Sequence, residues 1–149
     1  MKEIILKGGK SALIDDLDVD SILPFRWVYR QGGYASTRIN GRAVHLHRFI
    51  LNAPEDKEVD HKNGNGLDNR RLNLRLCSHA ENMQNRKTHK NNTSGHKGIW
   101  LDRRCGKWVA TIQCDGERKR LGSSFDKKEL IVLRQKAEKE LYKDFQRIE

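Results

Sequence analysis

Three cysteines in 149 residues, none of them in a CxxC pair, leave little room for a disulfide framework or a zinc ribbon. Cys77, Cys105 and Cys114 are odd in number and widely spaced, so they read as reduced thiols of a cytoplasmic protein. Cys77 and His79 in "LCSH" could form half of a metal site, but no second half is visible and structural zinc is not expected. Long apolar runs are missing too. No segment approaches the roughly 18 apolar residues of a membrane span, and "MKEIILKGGK" has too short an apolar stretch for a signal peptide. No membrane partner is expected. At 36% hydrophobic, the chain can bury a modest core, as one ordinary domain or two small ones.

Positive charge is abundant. Lys and Arg number 30 against 20 Asp and Glu, a net charge of +10 that points to a polyanionic partner without specifying a fold. The surplus grows along the chain: +2 over residues 1–55, +3 over 56–90 and +5 over 91–149. The last third is therefore the part expected on a phosphate backbone.

The N-terminal third reads as short strands and turns. "EIIL" and "SALI" flank "KGGK" as a hairpin, "RWVYR" and "YASTRI" flank "QGG", and Asn40-Gly41 signals a tight turn. "HRFILN" is expected to form one short helical turn before Pro54. In "DDLDVD", Asp16, Asp18 and Asp20 occupy the first three ligand positions of an EF-hand loop. Ser21 stands at the sixth position instead of Gly and Trp27 at the twelfth instead of Glu, so a solvated loop or helix start is expected.

The stretch "VDHKNGNGLDNRRLNLRLCSHAENMQNR" carries the chemistry. A strand over Glu58 to His61, a turn-rich loop and a return strand over Leu72 to Leu76 lead to Ser78-x-x-Glu81, a capping box that starts a helix through about Arg86. Two strands and a helix bring Asp60, His61 and Asn82 together. Asp60 and the Asn82 amide oxygen are hard donors suited to magnesium, while a neutral His61 can take a proton from an attacking water. Asn63, Asn65 and Asn69 read as turn residues, and His45 and His47 as strand packing or structural hydrogen bonds.

These residues resemble the HNH endonucleases of the ββα-metal fold, particularly homing-type members from phages and mobile introns. His61, Asn73 and Asn82 match the three letters, 12 and 9 residues apart, within "VDHKNGNGLDNRRLNLR" and "HAENMQNR". The upstream "YASTRINGRAVHLHRFIL" is similar to the segment that precedes this motif. The resemblance implies His61 as general base and Asp60 with Asn82 as ligands of one divalent ion, magnesium or in its place manganese. Asn73 would hold the loop and the His61 ring, and Arg86 a phosphate. It also implies products with 5′-phosphate and 3′-hydroxyl ends.

Beyond the stretch "KTHKNNTSGH", residues 87–96, which reads as a linker, "KGIWLDRR", "KWVATIQC" and "ERKRLG" form three short strands. A helix capped by Asp126 and Glu129 follows, with Leu130, Leu133, Ala137 and Leu141 as its apolar stripe. Alternation assigns Trp108, Ala110, Ile112 and Cys114 to that helix and Lys107, Val109, Thr111 and Gln113 to an open face. Trp100, Arg103 and Arg104 precede this face and Arg118 and Arg120 follow it, a composition that fits the DNA major groove. "SGHKGIW", "GKWVATI" and "KRLGSSFDKKE" resemble the APETALA or ethylene-response-factor DNA-binding domain. By that resemblance Lys97, Trp100, Thr111, Gln113, Arg118 and Arg120 face the groove. Trp100, Thr111 and Gln113 depart from the charged readers common in plant members, so the target does not carry over.

The expectation is an α+β protein. A β-rich segment leads into a ββα-metal unit (residues 1–86, core about 58–86), followed by the linker and a three-stranded antiparallel sheet on one helix (97–149). It would act on double-stranded DNA as a monomer or homodimer, with no protein partner evident. The rival reading is a catalytically silent DNA-binding regulator. An RNA binder would need clustered stacking aromatics that the sequence lacks.

Overall fold

Lys2–Ile5 (β1) and Ser11–Ile14 (β2) form the expected first hairpin, with Lys2 opposite Ile14 and Ile5 opposite Ser11. This computed structural model describes residues 1–85, 88, 91–114 and 116–142. Alternation along β2 sends Ala12 and Ile14 into the core. A 3-10 turn, Asp16–Asp18, leads into the single turn Val19–Ile22 (α1). Val28–Arg30 (β3), Tyr34–Ile39 (β4) and Arg42–His45 (β5) then make an antiparallel sheet in that order. Asn40 and Gly41 connect β4 to β5 with φ of 51° and 78°, the paired left-handed conformations of a two-residue hairpin turn. Leu46–Leu51 (α2) stops at Asn52, a left-handed cap with φ 45°. Glu58–His61 (β6) and Leu74–Cys77 (β7) pair antiparallel, and His79–Asn85 (α3) follows.

The chain divides into two compact units, Met1–Asn82 and a second beginning at Met83. The core of the first is built from Leu6, Ile14, Ile22, Trp27, Leu46 and Ile50 with their neighbours. Phe25, Trp27 and Phe49 meet edge to face, with ring centroids 5.5–6.5 Å apart.

One expectation for this unit is met in part and another is corrected. The acidic run starts a helix, with Asp16 and Asp20 exposed, but Asp18 is buried and pairs with Arg71 at 2.7 Å, while Asp15 Oδ2 accepts the Arg71 amide at 2.8 Å. The 3-10 turn directs Asp18 inward, where it ties the N-terminal segment to the loop after β6. Substituting Asp18 by Ala is expected to lower stability by about 1–3 kcal/mol, as loss of a charged hydrogen bond does. Asp20→Ala, at an exposed position, should stay within about 0.5 kcal/mol of wild type; paired thermal melts check both. The return strand also starts later than expected, at Leu74 instead of Leu72. Leu72 is 88% exposed, and the Asn73 amide donates to the Arg70 carbonyl, so these two residues still belong to the turn.

In the second unit, Ile99–Asp102 (β8), Lys107–Cys114 (β9) and Glu117–Ser124 (β10) form an antiparallel sheet with β9 in the centre. Lys127–Tyr142 (α4) packs on it through Leu130 and Ala137, which meet Ala110 and Ile112 or their clusters. The observed helix stripe differs from the expected one. Leu133 and Leu141 are partly exposed, and Arg134 and Tyr142 are buried in their place. Arg134 can be buried because its guanidinium donates to the Thr111 carbonyl and its Nε to Glu138 Oε1 at 2.9 Å. The helix start is a four-residue network. Asp126 Oδ1 accepts the Lys128 amide, while Glu129 accepts the Ser124 hydroxyl, whose oxygen accepts the Asp126 amide.

Of the expected linker, Lys87, His89 and Lys90 lie outside the described residues, as does Asp115. Asn92 to His96 form a bonded turn around the buried Ser94 hydroxyl. Among the described residues no helix is long and apolar enough to cross a membrane.

Candidate active site

His61 ends β6, and strand alternation puts Glu58 and Asp60 on one face and Val59 and His61 on the other. The loop that follows is closed by its asparagines. Asn73 Oδ1 accepts the Asn63 amide at 3.1 Å, and its Nδ2 donates to the Asp68 carbonyl at 2.7 Å. Asn63 and Asn65 each accept a backbone amide two residues on, the turn role expected of them. The loop is also stitched to β2: Leu13 donates its amide to the Leu67 carbonyl and accepts the Asn69 amide. Arg70 on the Asp68 carboxylate holds the latter below the usual carboxylate range.

Asn69 does more than turn the chain. It is 0% exposed, and its Oδ1 lies 3.4 Å from His61 Nε2. With Nε2–H donating there, the imidazole lone pair lies on Nδ1. Burial pushes the His61 pKa down, while the Asn69 bond and the Asp60 and Asp68 charges oppose that shift. A neutral, proton-accepting ring is the result. Asn73 thus holds the loop as expected, whereas the amide bonded to the ring belongs to Asn69. Ring neighbours complete the setting, with Tyr34 at 5.7 Å and His47 at 5.0 Å between centroids.

On the other strand face, Asp60 stands opposite Arg75 in the β6–β7 register and accepts from its Nε at 2.8 Å and from a terminal nitrogen at 2.5 Å. Glu58, two residues earlier, holds the helix: Asn82 Nδ2 donates to Oε2 at 2.5 Å and His79 Nδ1 to Oε1 at 2.7 Å. Those bonds, the Asn82 one first, lower the Glu58 pKa. The capping box forms as expected, with Glu81 accepting both the Ser78 amide and its hydroxyl. Asn82 is thereby fixed on the strand face that bears Asp60.

Whether these residues suit a divalent ion follows from their atoms. Asn82 has donated its Nδ2 to Glu58, so its Oδ1 is the atom that can serve as a ligand. Asp60 adds a carboxylate that Arg75 partly neutralises. Among the described residues no three His, Cys, Asp or Glu side chains group as metal ligands. A hard-oxygen pair of this kind suits a divalent cation whose other ligands are water and phosphate.

The other expected site residues fall as follows. Arg86 lies outside the described residues. In the second unit the register places Trp100, Val109, Thr111, Gln113, Arg118 and Arg120 on one sheet face. Arg118 lies over the Trp100 ring at 5.5 Å, and Gln113, Arg103, Arg104 and Arg120 are exposed. Val109 and Thr111 are buried, however, and the Thr111 hydroxyl reaches the Gly98 carbonyl. They are short side chains on the central strand, flanked by Trp100 and Arg120, so the open face is narrower than alternation implied. Lys107 lies over Phe125, and Lys97 donates to the Met83 and Gln84 carbonyls at the end of α3. Glu58, Asn69 and Arg75 were not singled out for the site from sequence. The opposed positions of Asp60 and Arg75 across the hairpin were the one signal available.

The site's residues coincide with a known family. The HNH endonuclease family model matches residues 44–84, from the end of β5 through the hairpin and most of α3. Protein 3.8 of Escherichia phage T7 is 34% identical over 94 residues, which cover 63% of this chain and 77% of that protein. No solved structure matches. A buried histidine ending the first strand of a ββ hairpin, an asparagine closing its loop and another on the following helix sit within the matched segment. The chain belongs to the HNH endonuclease family.

Proposed function

We propose that this protein is a site-directed DNA endonuclease that cleaves by a one-metal mechanism. The observation that carries the reading is a buried His61, its Nε2 held by Asn69, next in sequence to Asp60, with Asn82 bonded to Glu58 on the strand face that also bears Asp60. Asp60 and Asn82 Oδ1 would hold the divalent ion, which when bound neutralises the phosphate and the departing oxygen. His61 takes the proton of the attacking water on Nδ1 as water oxygen bonds to phosphorus and the 3′ oxygen leaves. Asn69 keeps the ring in that tautomer. Asn73 and the Asp18–Arg71 pair keep the loop in place. The second unit supplies affinity and address through Trp100, Arg103, Arg104, Gln113, Arg118 and Arg120, in the manner of an APETALA-like sheet, and Arg86 contacts a phosphate.

One observation favours a second reading. Arg75 engages Asp60 and competes with any cation there, as it would in a silent DNA-binding regulator. Conversion of supercoiled plasmid to nicked or linear forms, with magnesium and with chelator, separates the two. Magnesium-dependent cleavage is expected; tight duplex binding with no cleavage across a library of sites would establish the regulator. In gel shifts, log affinity should fall against log salt with a slope of about −4.5 for a footprint of about five phosphates. The double substitution Trp100→Ala, Arg118→Ala should weaken binding without changing the metal requirement.

A further inference from the structure

His47 sits in the first turn of α2, two residues after His45, which ends β5. It is 8% exposed and enclosed by rings. His61 meets it edge to face at 5.0 Å and 85°, His45 stacks on it at 5.2 Å and 7°, and Tyr34 lies at 5.3 Å. A phenyl ring would fill such a place equally well. An imidazole brings two polar nitrogens that burial makes costly unless they are used. Nδ1 is buried with no hydrogen-bond partner, and among the described residues neither nitrogen has one. Buried N–H groups without a partner are rarer than unsatisfied acceptors. The ring proton therefore belongs on Nε2, leaving a bare lone pair on the enclosed Nδ1. Burial first, then the neighbouring His61, His45 and Arg48, lowers the His47 pKa to about 3. The ring is thus a neutral donor at any working pH, and it adds no positive charge beside His61.

We propose that His47 is a further catalytic residue, whose Nε2–H donates a hydrogen bond to the scissile phosphate beside His61. The assignment rests on the nuclease reading above. Hydrogen bonds of about 2.9 Å from each ring span two imidazoles whose centroids stand 5.0 Å apart, so one phosphate and its attacking water can meet both. A neutral donor that strengthens its bond as charge builds on the phosphate oxygens stabilises the transition state more than the bound substrate. Its loss should therefore appear in kcat and leave KM nearly unchanged.

The test compares His47→Phe and His47→Gln with wild type in single-turnover plasmid cleavage, alongside thermal melts. Phe keeps the ring packing and removes the buried orphan nitrogen, so its melting temperature should not fall, while kcat drops about 100-fold. Gln keeps an N–H and should retain a rate within about 10-fold of wild type despite poorer packing. His47→Phe cleaving as fast as wild type overturns the proposal, and so does a folded His47→Gln no faster than Phe. Should Phe fail to fold, the Gln rate decides: a folded Gln variant about 100-fold slow would make His47 a packing residue. Absence of cleavage by wild type at every site would sink the nuclease reading and this one with it. Failure of the His47 prediction alone leaves the nuclease reading standing.

Discussion

Alanine at position 61 is expected to slow DNA cleavage by about 10² to 10⁴-fold while leaving duplex affinity within a factor of about two. The size follows from the role. In the proposed mechanism His61 is the proton acceptor, its lone pair oriented by the Asn69 bond at Nε2, and water must lose a proton as it attacks. Binding should be spared because the proposed DNA contacts, the exposed basic residues of the second unit, do not depend on it. Asn69→Ala should give a rate between wild type and His61→Ala, because it leaves the base present but removes the Asn69 bond that holds its tautomer. Single-turnover rates with a gel-shift control read all three proteins. An unchanged rate in His61→Ala would remove the catalytic assignment outright. Equal losses of rate and affinity would point to a folding defect, which circular dichroism would reveal.

The second large effect is on stability. Gly98 has φ +71°, a conformation that L side chains rarely adopt, and a Cβ there would run into the Arg134 guanidinium and the Thr111 carbonyl. Those two atoms already share the bond that allows Arg134 to be buried at 5% exposure. Gly98→Ala therefore adds backbone strain and separates a buried cation from its partner, a cost of about 3–5 kcal/mol. That is comparable to the whole stability of a domain this small, at about 0.05–0.15 kcal/mol per residue. The second unit should unfold at or near room temperature, with a lost cooperative transition and lost high-affinity DNA binding. Gly95→Ala is the control. It also has a positive φ, +75°, but nothing stands within 4 Å of its added carbon, so only about 1 kcal/mol of strain is expected.

Features written in a few consecutive residues were legible. Asn40-Gly41 makes its hairpin and Ser78-x-x-Glu81 its capping box because the groups that bond are two to three residues apart. The strand–loop–strand–helix order around His61 was legible for the same reason. Alternation along β9 assigned Ala110 and Ile112 to the helix, yet it could not tell a central strand from an edge strand, so Val109 and Thr111 were expected in solvent. A helix stripe read from apolar residues missed Arg134, because hydropathy carries no record of a carbonyl waiting 23 residues away. Asp18 was hidden likewise: its partner Arg71 lies 53 residues on.

By itself the sequence determined the chemistry available. It holds a histidine beside an aspartate, two asparagines at the family's spacing, and a basic last third suited to a polyanion. Tertiary structure decided how each group is used. It brought Asn69 onto Nε2 of His61, set Arg75 against Asp60, drew Asn82 to Glu58, and enclosed His47 with Tyr34 beside the base. The physical reason is that residue type and local spacing set what a side chain can donate or accept. Burial and the choice of partner belong to segments distant in the chain, and no local pattern encodes them.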